Sequence, residues 1–263
     1  MSSPSVDGRT AAVVGVAAGL LGGIFGVGGG LIIVPGLVSF AGMDRRLAHG
    51  TSLAATLPIA TASLLTYVAT GNVDWPLAVF LAIGAIGGAF VGTHLLQIIP
   101  KRALTVLFIA VVIATAFRLL LTDSTDGRGD LTAVIAVGLV LVGFITGTLA
   151  GLLGIGGGIV MVPAMVVLLD EIPVVAKGTS VAVIVPTAIM GTVRNRKKAN
   201  ADLRVAAVVG GFGVVSAVVG GLIANQLSAQ ASNIMFAALL VFVAATQILS
   251  LRAESRAAQP AAR

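Results

Sequence analysis

Two glycine runs, two Gly-Thr-Ser steps and a few isolated cations are the groups in this chain whose types and spacing suggest chemistry. The runs are Gly26-Val27-Gly28-Gly29-Gly30 and Gly154-Ile155-Gly156-Gly157-Gly158, each followed within seven residues by a proline, Pro35 and Pro163. Glycine lets the backbone turn tightly without a Cβ clash. A helix starting just after each run, at Leu31 and Ile159, would present free N–H donors and a partial positive charge, which suits an anion. Two such ends facing one another, built from Gly28, Gly29 and Gly30 and from Gly156, Gly157 and Gly158, could hold an anion with no full charge at the site. The competing use is plain packing, since the same glycines let a hairpin close. A dinucleotide fingerprint is excluded because no β-strand pattern precedes either run.

The steps Gly50-Thr51-Ser52 and Gly178-Thr179-Ser180 open the following helix in each half. As N-caps, their hydroxyls would satisfy orphan amides; as substrate contacts, Thr51, Ser52, Thr179 and Ser180 would donate to an oxyanion near the glycines. Directly before them stand His49 and Lys177. These are candidates for gating or proton coupling at two mouths, or simply loop residues facing water. His94 is a third candidate for proton coupling, although its place near a helix end equally lets it reach the interface. Arg118 is expected to snorkel, and Thr56 and Thr66 to bond back within their helix. Pro58 and Pro186 are expected to kink equivalent helices. Asn72, Asp74, Asn200 and Asp202 read as helix caps.

The elements that must position these groups follow from an internal repeat. The 263-residue sequence aligns with itself at one fixed offset, without gaps. Gly15, Gly19 and Gly23 fall on Gly143, Gly147 and Gly151, the two glycine runs coincide, and Ala48-His49-Gly50-Thr51-Ser52 falls on Ala176-Lys177-Gly178-Thr179-Ser180. Repeat one spans 11–121 and repeat two 131–251 within one transmembrane domain covering 1–263. Each holds four apolar blocks. Six of the eight suit one spanning helix of ~20 residues. Residues 131–169, as a single helix, would run ~58 Å, about twice a ~30 Å hydrocarbon core. The first block of each half, 11–40 and 131–169, is therefore predicted to be a helical hairpin with the glycines at its tip.

Composition agrees. The chain is 57% hydrophobic and only 10% charged, with mean hydropathy +1.10, far from the charged shell of a soluble domain. Its 34 glycines suit close helix packing in lipid. The N-terminus lacks the basic region of a secretory signal. The net charge of +6 lies in short loops rather than in a basic patch, so no nucleic-acid partner is expected. With each first block returning to its own side, 13 of the 16 Lys and Arg fall on the face of Arg194–Arg204, together with both termini, while six of the ten acidic residues fall opposite. The positive-inside rule makes that face cytoplasmic and the two halves inverted relative to each other. The predicted fold is an all-α polytopic protein of the inner membrane. It comprises two inverted repeats, each a glycine-tipped hairpin plus three spanning helices.

Absent residues narrow the chemistry further. There are no cysteines, so disulfides, thiolate metal sites and cysteine nucleophiles are excluded. The apolar blocks carry no Asp or Glu away from their ends, which disfavours a cation carrier. Two histidines 45 residues apart make neither a metal cluster nor a nucleophile–base pair; no enzyme activity, metal or cofactor is expected. Partners are a small anion and the lipid bilayer, and a homodimer stays open.

With the repeat laid out, the chain resembles the TauE/SafE family of membrane proteins. The resemblance covers residues 11–250 and rests on the tips GVGGGLIIVP (26–35) and GIGGGIVMVP (154–163), the two Gly-Thr-Ser steps, and the duplicated four-block plan. It implies transport of sulfur-containing anions such as sulfite, thiosulfate, sulfoacetate or taurine-derived sulfonates. It also implies a site at glycines 28–30 and 156–158 with Thr51, Ser52, Thr179 and Ser180. The expected mechanism is alternating access, one repeat rocking against the other. Alternatives are a carrier for a cation or neutral metabolite, and an anion channel.

Overall fold

A computed structural model of the chain describes residues 7–95, 131–153, 156–197 and 201–257, with scattered positions between 106 and 117. The apolar block at 103–121, Arg118 and Asn200 therefore lie largely or wholly outside the described residues. Every regular element among the described residues is an α-helix. In chain order they are α1 (Gly8–Phe25), α2 (Gly30–Ser39), α3 (Arg45–Ala69), α4 (Trp75–Leu95), α5 (Ala133–Leu153), α6 (Gly158–Leu168), α7 (Pro173–Lys197), α8 (Leu203–Gln226) and α9 (Ala229–Ala257). All but α2 and α6 are long and apolar enough to cross a bilayer, seven in total among the described residues. The protein is thus a helical, multi-pass membrane protein.

Both first blocks break at their glycines, as the length argument requires, but the arms are unequal. The first arms, α1 and α5, have 18 and 21 residues, ~27–32 Å of helix. The second arms, α2 and α6, have 10 and 11 and reach about half as far. Gly26, Gly28, Gly29, Gly156 and Gly157 all take positive φ, from 66° to 87°. This left-handed backbone carries a steric penalty for any residue with a Cβ. It turns each chain back sharply enough for α2 to pack along α1, with Gly36 against Val14.

Helix directions follow from the glycine contacts. A Cβ on Gly15, Gly19 or Gly23 would strike the backbone of Val209, Gly213 or Ala217 in turn, so α1 and α8 run the same way at close range. In the same manner Gly84, Gly88 and Gly92 of α4 meet Val140, Phe144 and Thr148 of α5. Close backbone approach is how helices associate where lipid supplies no hydrophobic drive. Helix α3 also runs with α8, Pro58 lying at Gly210 and Thr66 at Gly221. Helices α3 and α7 pack in opposite directions, with Gly178 against Tyr67 and Gly191 against Leu53. The outer surface is apolar, with Val13, Phe90, Val137 and Phe242 among its exposed side chains, as lipid contact demands.

Candidate functional site

The two glycine tips meet. A Cβ on Gly158 would lie 2.7 Å from the Gly26 carbonyl oxygen and 2.8 Å from Val27 Cα, and one on Gly156 would lie 3.4 Å from the Val27 carbonyl oxygen. Flanking the junction are the middles of α3 and α7, where Thr56 and Ile184 both press on Gly28, each 3.0 Å from its hypothetical Cβ. These two residues are repeat-equivalent, and the helix-interior prolines Pro58 and Pro186 follow two positions later. The N-caps of α2 and α6 are Gly29 and Gly157, and neither has a side-chain cap. The first-turn amides next to the junction therefore have no side-chain acceptor at the cap.

The Gly-Thr-Ser steps take a different place from the predicted one. They lie inside helices rather than opening them, since α3 begins at Arg45 and α7 at Pro173, so Thr51 and Thr179 are not N-caps. Both are fully buried and each accepts a hydrogen bond from the other half. Asp202 N donates to Thr51 Oγ1 at 2.9 Å, and Asp74 N donates to Thr179 Oγ1 at 2.9 Å. These crossed joints tie the start of α3 to the start of α8, and the start of α7 to the start of α4. The aspartates are themselves caps, as expected: Asp74 accepts from Leu77 N, and Asp202 from Arg204 N and Val205 N. Ser52 and Ser180 are buried one residue further on, and the Ser180 hydroxyl has no hydrogen-bond partner.

Lys177 and His49 are likewise helical rather than looped. His49 is half-buried, whereas Lys177 is 1% exposed and not at a watery mouth. Its Nζ has no hydrogen-bond partner and stands 5.7 Å from the centroid of the Phe25 ring. That distance is within range for a cation–π contact. Phe25 in turn stacks on Phe236 of α9 at 5.7 Å. Lys177 backbone packs on Gly26, whose Cβ would lie 2.6 Å from Lys177 Cα. The Lys177 backbone thus abuts the first glycine run, while its ammonium faces the Phe25 ring. His94 is the penultimate residue of α4, and its side chain lies outside the described residues.

Three features escaped the sequence. Thr66 bonds back to the Ala62 carbonyl at 3.1 Å as expected, but the Thr56 hydroxyl does not bond back and has no partner although fully buried. The Tyr67 hydroxyl, wholly buried near the end of α3, donates to the Gly23 carbonyl at 2.7 Å and so ties α3 to the first hairpin. Glu171, 4% exposed in the turn before α7, accepts from Ile172 N at 3.0 Å. Nothing in the spacing of these residues sets them apart, because each acts through a partner far away in the chain or through rotamer choice.

Helical hairpins that meet tip to tip, among seven spanning-length helices in the described residues, define a polytopic membrane protein with broken helices. A model of the family described as sulfite exporter TauE/SafE matches residues 2–128 and 139–263. The chain belongs to the TauE/SafE family. It is 30% identical over 206 residues to a probable membrane transporter protein, YunE, of Bacillus subtilis, covering 69% of this chain and 75% of that one. It is 28% identical over 240 residues to a probable membrane transporter protein of Xylella fastidiosa, covering 88% and 90%. A probable membrane transporter protein of Methanocaldococcus jannaschii is 31% identical over 188 residues, 69% of each. A membrane transporter of this family is what the fold and the relatives define together.

Proposed function

We propose that this protein is a secondary transporter that carries a small sulfur-containing oxyanion or organosulfonate, of the size of sulfite, thiosulfate or sulfoacetate, across the inner membrane by alternating access. The observation that carries the reading is the junction of the two glycine tips. Each starts a helix whose cap lacks a side chain, so two positive dipole ends converge at a site without a carboxylate. Lys177, buried beside Gly26 with no hydrogen-bond partner, adds a full positive charge that an anion would neutralise. The family's description as sulfite exporters supports the sulfur class.

The alternating step is supported by helix direction. The repeat-equivalent helices α3 and α7 run oppositely, while α1 runs with α8 and α4 with α5, the arrangement an inverted duplication requires. Rocking of one half against the other would then exchange the roles of the two crossed threonine joints. The arginines at 194, 196 and 204 share one face with the N-terminus, which supports cytoplasmic termini.

Thermal melting of the detergent-purified protein tests the substrate class. A ligand at a hundredfold its Kd stabilises the fold by about 2.7 kcal/mol. A raised Tm with sulfite, thiosulfate or sulfoacetate, and none with acetate or cations, is the expected result. A rise with a cation or neutral solute alone would overturn the anion reading and leave the architecture intact.

A further inference from the structure

We infer that a narrow crevice lined by α3, α4, α5 and α7 is the substrate's route to one membrane face. In this assignment the Thr56 hydroxyl donates to the oxyanion at the crevice floor, and Arg194 holds it at the mouth. The inference rests on the anion reading above and names side chains and a direction that the tips alone do not supply.

The crevice runs from Gly156 at the second tip, past Thr56, Thr187 and Gly191, to Arg194 near the end of α7. Its free volume, about 10 Å³ for the centre of a water molecule, admits little more than one water. The route is therefore nearly shut in this state, and its walls must part for an oxyanion to pass. Nearly all of its lining is apolar, so the polar groups that do face it stand out.

Thr56 is the first of these. The hydroxyls of Thr61, Thr66, Thr148 and Thr187 all donate to carbonyls of their own helices, the usual resting place for a threonine in a membrane helix. Thr56 does not, and its Oγ1 is buried without a partner. A buried unbonded hydroxyl is unfavourable. Packing does not require one here, because the repeat-equivalent Ile184 presses on the same glycine with apolar atoms. A buried hydroxyl at the tip junction with no partner in the protein is free to donate to a substrate.

Arg194 is the second. Its guanidinium stacks 4.4 Å from the centroid of the Phe90 ring, and one nitrogen donates to the Phe90 carbonyl at 3.2 Å. A guanidinium has five N–H donors, so most remain available, and among the described residues no carboxylate pairs with it. The stacking fixes its plane, as two-pronged recognition of an oxyanion requires. The other half has no such cation, because Thr66, the repeat-equivalent of Arg194, is bonded back to its own helix. Among the described residues, the repeat-equivalent position of Arg194 therefore offers no matching cation.

The test compares sulfoacetate and sulfite binding, by thermal melting and calorimetry, in wild type, Thr56→Val, Thr56→Ser, Arg194→Gln and Arg194→Lys. Thr56→Val is expected to weaken binding about tenfold, as loss of one hydrogen bond to a charged group does. Its ligand-free Tm should equal or exceed that of wild type, because a partnerless polar atom has been removed. Thr56→Ser should stay within about threefold of wild type, whereas Arg194→Gln and Arg194→Lys, which both lose the stacked two-pronged fork, should each bind about tenfold more weakly. If wild type binds and both Thr56→Val and Arg194→Gln bind equally well, the crevice is overturned and the tips keep the anion. A ligand-free Thr56→Val that melts well below wild type would make the hydroxyl structural and overturn its assignment. If wild type binds no anion at all, the reading of the tips falls and the crevice falls with it.

Discussion

The two glycine tips share a backbone and differ in their surroundings. At the first, a Cβ on Gly28 would stand 3.0 Å from both Thr56 and Ile184, and one on Gly29 would stand 2.8 Å from the Ala18 carbonyl oxygen. At the second, the nearest atoms to a Cβ on Gly156 or Gly157 are 3.4 and 3.3 Å away. The first tip is wedged against its neighbours and tied from outside by Tyr67. The second borders the crevice. The duplicated unit has kept one backbone plan with different surroundings: Gly28 and Gly29 are closely packed, whereas Gly156 and Gly157 are less so, although Gly158 abuts the first tip.

The sharpest way to break that comparison is to add one methyl group to each tip. Gly29→Ala meets both positive φ and a carbonyl at close range, so the left-handed penalty of ~1–2 kcal/mol is joined by overpacking of ~1–3 kcal/mol. Gly157→Ala also meets positive φ and a carbonyl, that of Thr146, but at 3.3 Å rather than 2.8 Å, so its overpacking is the smaller of the two. The Gly29 variant is expected to melt clearly below the Gly157 variant, or to fail to accumulate in the membrane. Equal melting temperatures would mean the two tips are equivalent despite their different surroundings.

Lys177 and His49 carry the next difference. A lysine buried at 1% exposure with no hydrogen-bond partner opposes folding, whereas His49 in the other half is only half-buried. Lys177→Met keeps the length and the contact with Phe25 and removes the charge. It is expected to raise the ligand-free Tm by an amount corresponding to about 1–3 kcal/mol and to abolish anion-dependent stabilisation. A variant that is less stable yet still stabilised by anions would show that the ammonium holds the fold rather than the substrate.

How much of this was legible follows from the same residues. The repeat, the hairpin breaks and the spanning helices are periodicity and length effects, and a gapless match with blocks too long for one span exposes them directly. The glycines at 28–30 and 156–158 were readable as turns because few other residues accept positive φ. The threonine steps take a structural place other than the N-cap the sequence suggests. Capping is the local rule for Gly-Thr-Ser, but the helices start several residues earlier, and a partner about 105 or 151 positions away takes the hydroxyl. Thr56 was misread because back-bonding depends on rotamer, and the rotamer is set by a glycine tip and an opposing helix that sequence spacing does not bring together. Asymmetries such as Thr66 against Arg194 were visible but had no meaning until the crevice joined Arg194 to the second tip.

The smallest effect addresses what the halves have in common. Thr51 and Thr179 make the same bond to the opposite repeat at the same distance, at opposite ends of the helix pair α3 and α7. Each valine substitution leaves an aspartate N–H without its acceptor and is expected to cost about 1 kcal/mol. Two sites so far apart should be additive within about 0.5 kcal/mol in the double variant. Their functional effects should differ in sign. The joint at Thr51 lies on the face of Arg194, because Asp202 opens the helix that follows it, and the joint at Thr179 lies on the other. In a protein that rocks, Thr51→Val should make a cysteine introduced by Thr187→Cys more reactive to an impermeant maleimide from the Arg194 face. Thr179→Val should make it less reactive from that face. If both variants change reactivity alike, or neither does, the joints merely fasten the halves and alternating access must hinge elsewhere.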